Sequence, residues 1–485
     1  MASVDLQRSG ALRIDRAFGA GVLSARHGYA LAVPIDGRRA LAVWWLALGL
    51  LALVAAGILS ILLVVSRTPG LQNAFPVADF FRVALVVHVD LSVLVWFLAF
   101  GGVLWTINGT ARNLRVGWLA FGLAAAGTAA IALSPFFGQG RPVMANYIPV
   151  LRDPWFFTGL VAFAAGVALL VLRGMSTAPA VGIRLDGAGA LRFGLSASLV
   201  SAAVALIAFG WSYHGVPASL DPAAYYELLF WGGGHVLQFT WALLMMVAWL
   251  MLADAIGAQV PLSPRVTTLL FAIGLAAVFV TPVIYLAYDI GSVQHHRLLT
   301  WLMQFGGGLA IPPIALAVLW ATMRRGEVDT NLRPLRAALV TSIALFGIGG
   351  IIGFLIHGSN VKIPAHYHGC IVGVTVALMG LAYLLLPAMG FARPSARLAT
   401  IQPYLYGGGQ LLHVIGLVWS GGYGVQRKVA GGEQALHTIQ EIAGMGLMGL
   451  GGLVAIAGGM LFVFVVLQAV WRSRALPART RLTSR

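Results

Sequence analysis

Pro364-Ala365-His366-Tyr367-His368 stands at the mouth of a long apolar run. On an α-helix, residues two apart point roughly 200° from each other, so the two imidazoles face opposite ways. They do not share one metal ion, but each can hold a different one. A helix that binds on two faces needs neighbours on both sides, and the rest of the chain supplies them.

Of the 485 residues, 59% are hydrophobic and only 9% charged, with a mean hydropathy of +0.89. A soluble globular domain carries roughly 25% charged residues, so the composition is that of a polytopic membrane protein. The formal net charge of +16 would suggest nucleic acid in a soluble chain. Here it reads as cationic loops against a cytoplasm, and no nucleic-acid partner is expected. The single cysteine, Cys370, excludes a disulfide framework, a CxxCH haem attachment and a two-cysteine copper centre. Any electron-donating centre of those kinds sits on a separate subunit, a cytochrome c or a copper protein.

Taking about 20 apolar residues per crossing, the sequence predicts an all-α fold of twelve transmembrane helices. They cover roughly 41–66, 77–107, 116–138, 155–173, 190–212, 225–256, 265–290, 297–323, 334–358, 365–391, 400–421 and 437–471. Residues 1–40 read as an uncleaved cytoplasmic tail, 41–471 as one membrane domain and 472–485 as a basic cytoplasmic tail. The basic residues give the orientation. With the N-terminus inside, only Arg67, Arg82, Arg141, Arg152, Arg297, Lys362, Arg427 and Lys428 of the 31 Lys and Arg fall on outer segments. Both termini are therefore expected in the cytoplasm, with the chain in the inner (cytoplasmic) membrane and in contact with lipid.

In this topology six histidines reach one level. His88 lies in the outer part of span 2, His235 in the outer part of span 6 and His295-His296 at the outer end of span 7, while His366 and His368 open span 10. A lone intramembrane histidine can simply hydrogen-bond a neighbouring helix, and the single His357 and His413 are read that way as readily as any other. Six at one depth point to function, because ionisable groups are costly in a membrane. Imidazole suits haem iron, copper and non-haem iron alike. His235, His295 and His296 offer three nitrogens to one ion with an open position. His88 and one of the pair at 366 and 368 can clamp a six-coordinate haem, leaving the other for a five-coordinate haem that faces the metal.

The constellation resembles the catalytic subunit of the haem-copper oxidase superfamily, which includes oxygen reductases and nitric oxide reductases. The motifs are VVHVDLSVLVW at 86–96, WGGGHVLQF at 231–239, QHH at 294–296 and AHYHG at 365–369. The resemblance implies two haems and one non-haem metal. The residue matching His366 binds the high-spin haem, and His368 shares the low-spin haem with His88. His235, His295 and His296 match the ligands of the non-haem metal. GGYGVQRKV at 421–429 is similar to the family's basic pair, which makes Arg427 and Lys428 partners of the haem propionates.

Within this family the substrate, NO or O2, follows the residue beside the non-haem metal. Oxygen reductases use a tyrosine joined to a metal-ligand histidine, and nitric oxide reductases usually supply a carboxylate to iron. One turn after His235 stands Phe239, with Gln238 beside it, so neither familiar template fits. Asp289 near the end of span 7 then becomes the candidate carboxylate ligand, which favours iron over copper. Tyr288 and Tyr285 are the candidate tyrosines. The expectation is a nitric oxide reductase making N2O; the alternative is an oxygen reductase of divergent cbb3-like type. A haem-carrying electron-transfer or sensing protein would leave the three-histidine site without metal, and a transporter with histidine proton relays would bind no haem.

Overall fold

A computed structural model describes residues 28–71, 78–137, 140–181 and 185–475, with the backbone of Ala11-Leu12. Most of the expected N-terminal tail and nearly all of the C-terminal one lie outside these residues. The short strand Ala11–Leu12 pairs antiparallel with Val33–Pro34 just before the first span.

Capping residues mark where the spans begin. Asp36, Asp153, Asp186, Asp221, Ser263 and Ser292 each accept a hydrogen bond from a backbone N–H in the first turn that follows. After Asp153, Asp221 and Ser263 a proline occupies the start of the helix, where its missing N–H costs nothing. These four aspartates are therefore structural punctuation.

Among the described residues eleven helices are long and apolar enough to cross a membrane. The expected span at 400–421, the eleventh in chain order, forms as Ala396–Gly422, 27 residues long, and falls short in apolarity alone. It carries Gln402, Gln410 and His413. Gln402 is fully buried, taking a hydrogen bond from the Tyr383 hydroxyl and giving one to the Gly458 carbonyl. Its polar groups are satisfied by neighbouring helices, as intramembrane backbone and amides require.

One boundary differs from expectation. The seventh span was placed at 265–290 with the QHH motif just beyond its end, but the helix stops at Ala287 because Tyr288 is extended. A new helix starts at Val293 under the Ser292 cap, so His295 and His296 belong to the first turn of the eighth span. That span is interrupted again around Gly307 before resuming at Ile311.

Burial sorts the spans into centre and rim. In the most apolar windows of Pro222–Ala255 and Lys362–Ala388, 89% of residues are buried, and 72% in Phe80–Asn108, against 22% in Val293–Arg324. A helix apolar on all sides belongs inside a bundle. These three central helices carry His235, His366 with His368, and His88. The ninth and tenth spans cross backbone to backbone at Gly349 and Gly369, where a Cβ on either would strike the backbone of the other helix. The crossing fixes the helix turn that bears the two histidines.

Candidate haem and metal centre

Four buried or half-buried histidines are oriented in the same way. His88 Nδ1 lies 2.9 Å from the Ala56 carbonyl, His366 Nδ1 2.7 Å from Gly349, His235 Nδ1 2.7 Å from Trp231 and His413 Nδ1 2.9 Å from Met448. A carbonyl only accepts, so each Nδ1 carries the hydrogen and each Nε2 keeps its lone pair. This is how proteins prepare an imidazole as a ligand. His368 is held differently: the His413 ring faces it at 4.7 Å between centroids, tilted by 52°.

The WGGGH segment explains its own glycines. Gly232, Gly233 and Gly234 leave room for the rings of Tyr285, Phe209 and Tyr147 respectively, each so close that a Cβ would collide with it. Two of these rings reach the histidines. Tyr285 meets the His295 ring edge-on at 4.6 Å and its hydroxyl bonds Ser212 Oγ at 2.8 Å. Tyr147 Oη lies 2.9 Å from His235 Nε2, and since Nε2 is the lone-pair nitrogen the phenol donates. A further ring, Trp231, stacks on His296 at 3.5 Å and contacts His235 at 4.6 Å.

His295 Nε2 is buried without a hydrogen-bond partner. A buried nitrogen without a partner is costly, and a metal ion is a partner that would satisfy it. The donor chemistry of His235, His295 and His296 thus fits a metal. Among the described residues no three His, Cys, Asp or Glu side chains close on one point as they stand. His235 Nε2 here accepts from Tyr147 and has one lone pair, so a metal ion on it would take the place of that hydrogen bond. Likewise the lone pairs of His88 and His366 fit haem iron, with His368 beside His88 in electrostatic reach.

Tyr147 arrives on a hairpin, Arg141–Val143 paired with Val150–Arg152, between the third and fourth spans. The Glu227 carboxylate accepts from both the backbone N–H and the side-chain amide of Asn146. Lys428 Nζ donates to the Met144 carbonyl and to Asn146 Oδ1. Lys428 adopts φ 64°, a left-handed conformation that costs a side-chain-bearing residue roughly 1–2 kcal/mol. Burial first, then the neighbouring Arg427, lowers its pKa to about 8 against the opposing pull of Glu227. Burial, reinforced by Glu227, pushes the Tyr147 phenol well up, so it keeps its proton at neutral pH. Arg427 faces the Tyr367 hydroxyl, as does Arg67. Burial brings Arg67 down to about 10, and it is tied to Gln434 Oε1 and the Gln426 carbonyl. Arg67, Arg427 and Lys428 therefore form a cationic group on the side of the bundle where His366 and His368 begin their helix.

The structure separates the other candidates. Tyr285 is buried beside His295, but Tyr288 is 41% exposed and Asp289 is exposed on the link to the eighth span. Asp289 contributes its carbonyl, which accepts from Ser292 N–H at 2.9 Å. The helix ends at Ala287, two residues before Asp289, whose side chain is exposed. Phe239 is buried and packs toward Gly306.

Three residues escaped the sequence. Tyr147 sits in a link with no periodic signal, and only the three glycines before His235 hinted at incoming rings. Asp90 is fully buried two residues after His88, with neither oxygen hydrogen-bonded, where the second span widens into a π-helical turn. An acid inside an apolar run was its signal, and π-turns gather at functional sites. Trp231 precedes His235 by one helical turn.

The model of the family described as cytochrome C and quinol oxidase polypeptide I matches residues 40–465. An uncharacterized protein of Rickettsia prowazekii is 30% identical over 492 residues, covering 87% of this chain and 94% of the relative. Another uncharacterized protein, from Aquifex aeolicus, is 29% identical over 364 residues, covering 74% of this chain and 88% of the relative. With its central helices bearing the histidines and the match running through nearly every span, the chain belongs to the cytochrome c and quinol oxidase polypeptide I family, the catalytic subunits of the haem-copper oxidases.

Proposed function

We propose that the chain is the gas-reducing subunit of a respiratory reductase and that its substrate is O2. The observation that carries O2 over NO is the Tyr147 hydroxyl on His235 Nε2 at 2.9 Å. His235 Nε2 has one lone pair, so a metal bound there displaces the phenol from the nitrogen and leaves it beside the ion as a proton-bearing group, the feature missing at Phe239. The carboxylate that favoured nitric oxide, Asp289, is exposed on its link. Glu227, whose charge reaches His296, has both oxygens held by Asn146.

In this scheme His88 and His368 hold the low-spin haem, His366 the high-spin haem, and His235, His295 and His296 a copper or iron ion. Arg427 and Lys428, with Arg67, face the propionates. When bound, these groups supply the electrons and the open coordination positions for a diatomic gas. The chain's own part is orientation and proton placement. The Nδ1–H bonds to backbone carbonyls fix which nitrogen faces the metal, Tyr147 holds a proton at Oη, and Tyr285 holds another in a bond with Ser212. A separate subunit delivers electrons. The histidine level faces outward from the cytoplasmic membrane, with both termini inside.

The test is metal analysis of the purified protein together with turnover on both gases. Copper and rapid O2 uptake support the scheme. A third iron, no copper, and N2O formation without O2 uptake would return the chain to the nitric oxide branch.

A further inference from the structure

His413 has no place in the ligand scheme, yet it is built like the ligands. It is 8% exposed, and its Nδ1–H is fixed on the Met448 carbonyl at 2.9 Å, which leaves Nε2 as a lone pair. The last span packs against it at two glycines. A Cβ on Gly451 would strike the His413 backbone nitrogen, and one on Gly452 would come 3.3 Å from Nδ1. The ring is therefore locked on one side and free to act on the other, where it meets His368 at 4.7 Å. One turn earlier on the same face, Gln410 has a buried Oε1 with no other partner and its side chain reaches His368.

We infer that His413, with Gln410, is the positioning pair of the low-spin haem: it sets the plane and the basicity of the His368 imidazole. The inference rests on His368 being a haem ligand. His88 and His366 are anchored on backbone carbonyls, which no side-chain change removes. His368 is anchored on side chains, so its orientation is set by residue choice. Outer partners of a ligating histidine fix its ring and tune the metal, and axial-ligand orientation and hydrogen bonding are levers on haem potential. The fold thus provides one haem with a tunable ligand and the other with a fixed one.

The experiment uses the haem-loaded protein and reads haem content, the low-spin ferric EPR spectrum and the midpoint potential in His413→Phe, Gln410→Ala and Gly452→Ala. Expected are two haems per chain in all three, with altered g-values. Electron sharing between the haems should change about tenfold, which is about 59 mV for one electron. Gly452→Ala removes no ring or amide and presses on His413 Nδ1 and, more closely, on the Val64 side chain, so together with Gln410→Ala it decides the matter if His413→Phe fails to assemble. Native g-values and potential in Gly452→Ala and Gln410→Ala overturn the inference. His368→Ala checks the underlying assignment separately. If that variant keeps its low-spin haem while His413→Phe loses it, His413 is the ligand itself and both the assignment and the inference fall.

Discussion

Tyr147 Oη and His235 Nε2, 88 positions apart in sequence, lie 2.9 Å from each other, with the phenol donating to the nitrogen that Trp231 leaves free. Removing that hydroxyl while keeping the ring isolates its contribution. Tyr147→Phe should retain both haems and the non-haem metal but lose at least about 100-fold in O2 turnover, the range for a positioned proton donor. Metal content and oxygen-electrode rates check this together. Native turnover would reduce Tyr147 to packing.

Asp289→Asn should leave turnover on either gas within about twofold and stability within about 0.5 kcal/mol, as for an exposed position away from the site. Steady-state rates in the purified protein decide it. A sharp loss would mean that the link between the seventh and eighth spans turns inward during turnover.

Gly234→Ala places a methyl group against the Tyr147 ring. Overpacking of this kind costs about 1–3 kcal/mol. The expected result is a lower unfolding temperature in detergent, together with the Tyr147→Phe turnover defect, because the ring must move off His235. Ordinary turnover with lowered stability would separate the glycine's packing role from the hydrogen bond.

Lys428 loses its proton near pH 8. A haem propionate facing it would hold the proton more firmly, so the haem potential should fall as pH rises through a value above about 8, where the lysine loses its charge. Lys428→Arg keeps its charge far above this range and should flatten that step. Potentiometric titration across pH 6 to 10 measures it, and a native pH profile in the arginine variant would place Lys428 with the hairpin alone.

What was legible in the sequence was whatever repeats or costs energy. The spans announce themselves by length and apolarity, and the histidines by their expense in lipid. His88, His235 and the pair at 366 and 368 lie on the three most buried helices, a placement that continuous hydrophobicity already implied. The polar eleventh helix was legible by length, although its apolarity alone would have missed it. Less legible was the break at Tyr288. Ser292 is a good cap, but an apolar count runs across it, and that error carried Asp289 inward and set the histidine pair on the wrong helix. Tyr147 could not be found by periodicity, because a loop's aim is decided by the tertiary contacts of Asn146 with Glu227 and Lys428.

Those contacts also have a place in time. The hairpin that brings Tyr147 to His235 is fastened at Met144 by Lys428, 284 residues further on. A chain made from its N-terminus onward has finished eleven spans before that lysine exists. Until then the hairpin is held by the Glu227–Asn146 bonds and by the packing of Tyr147 on Trp231 and His235. The last fastening of the loop that carries Tyr147 onto His235 therefore comes late, when the segment after the eleventh span docks.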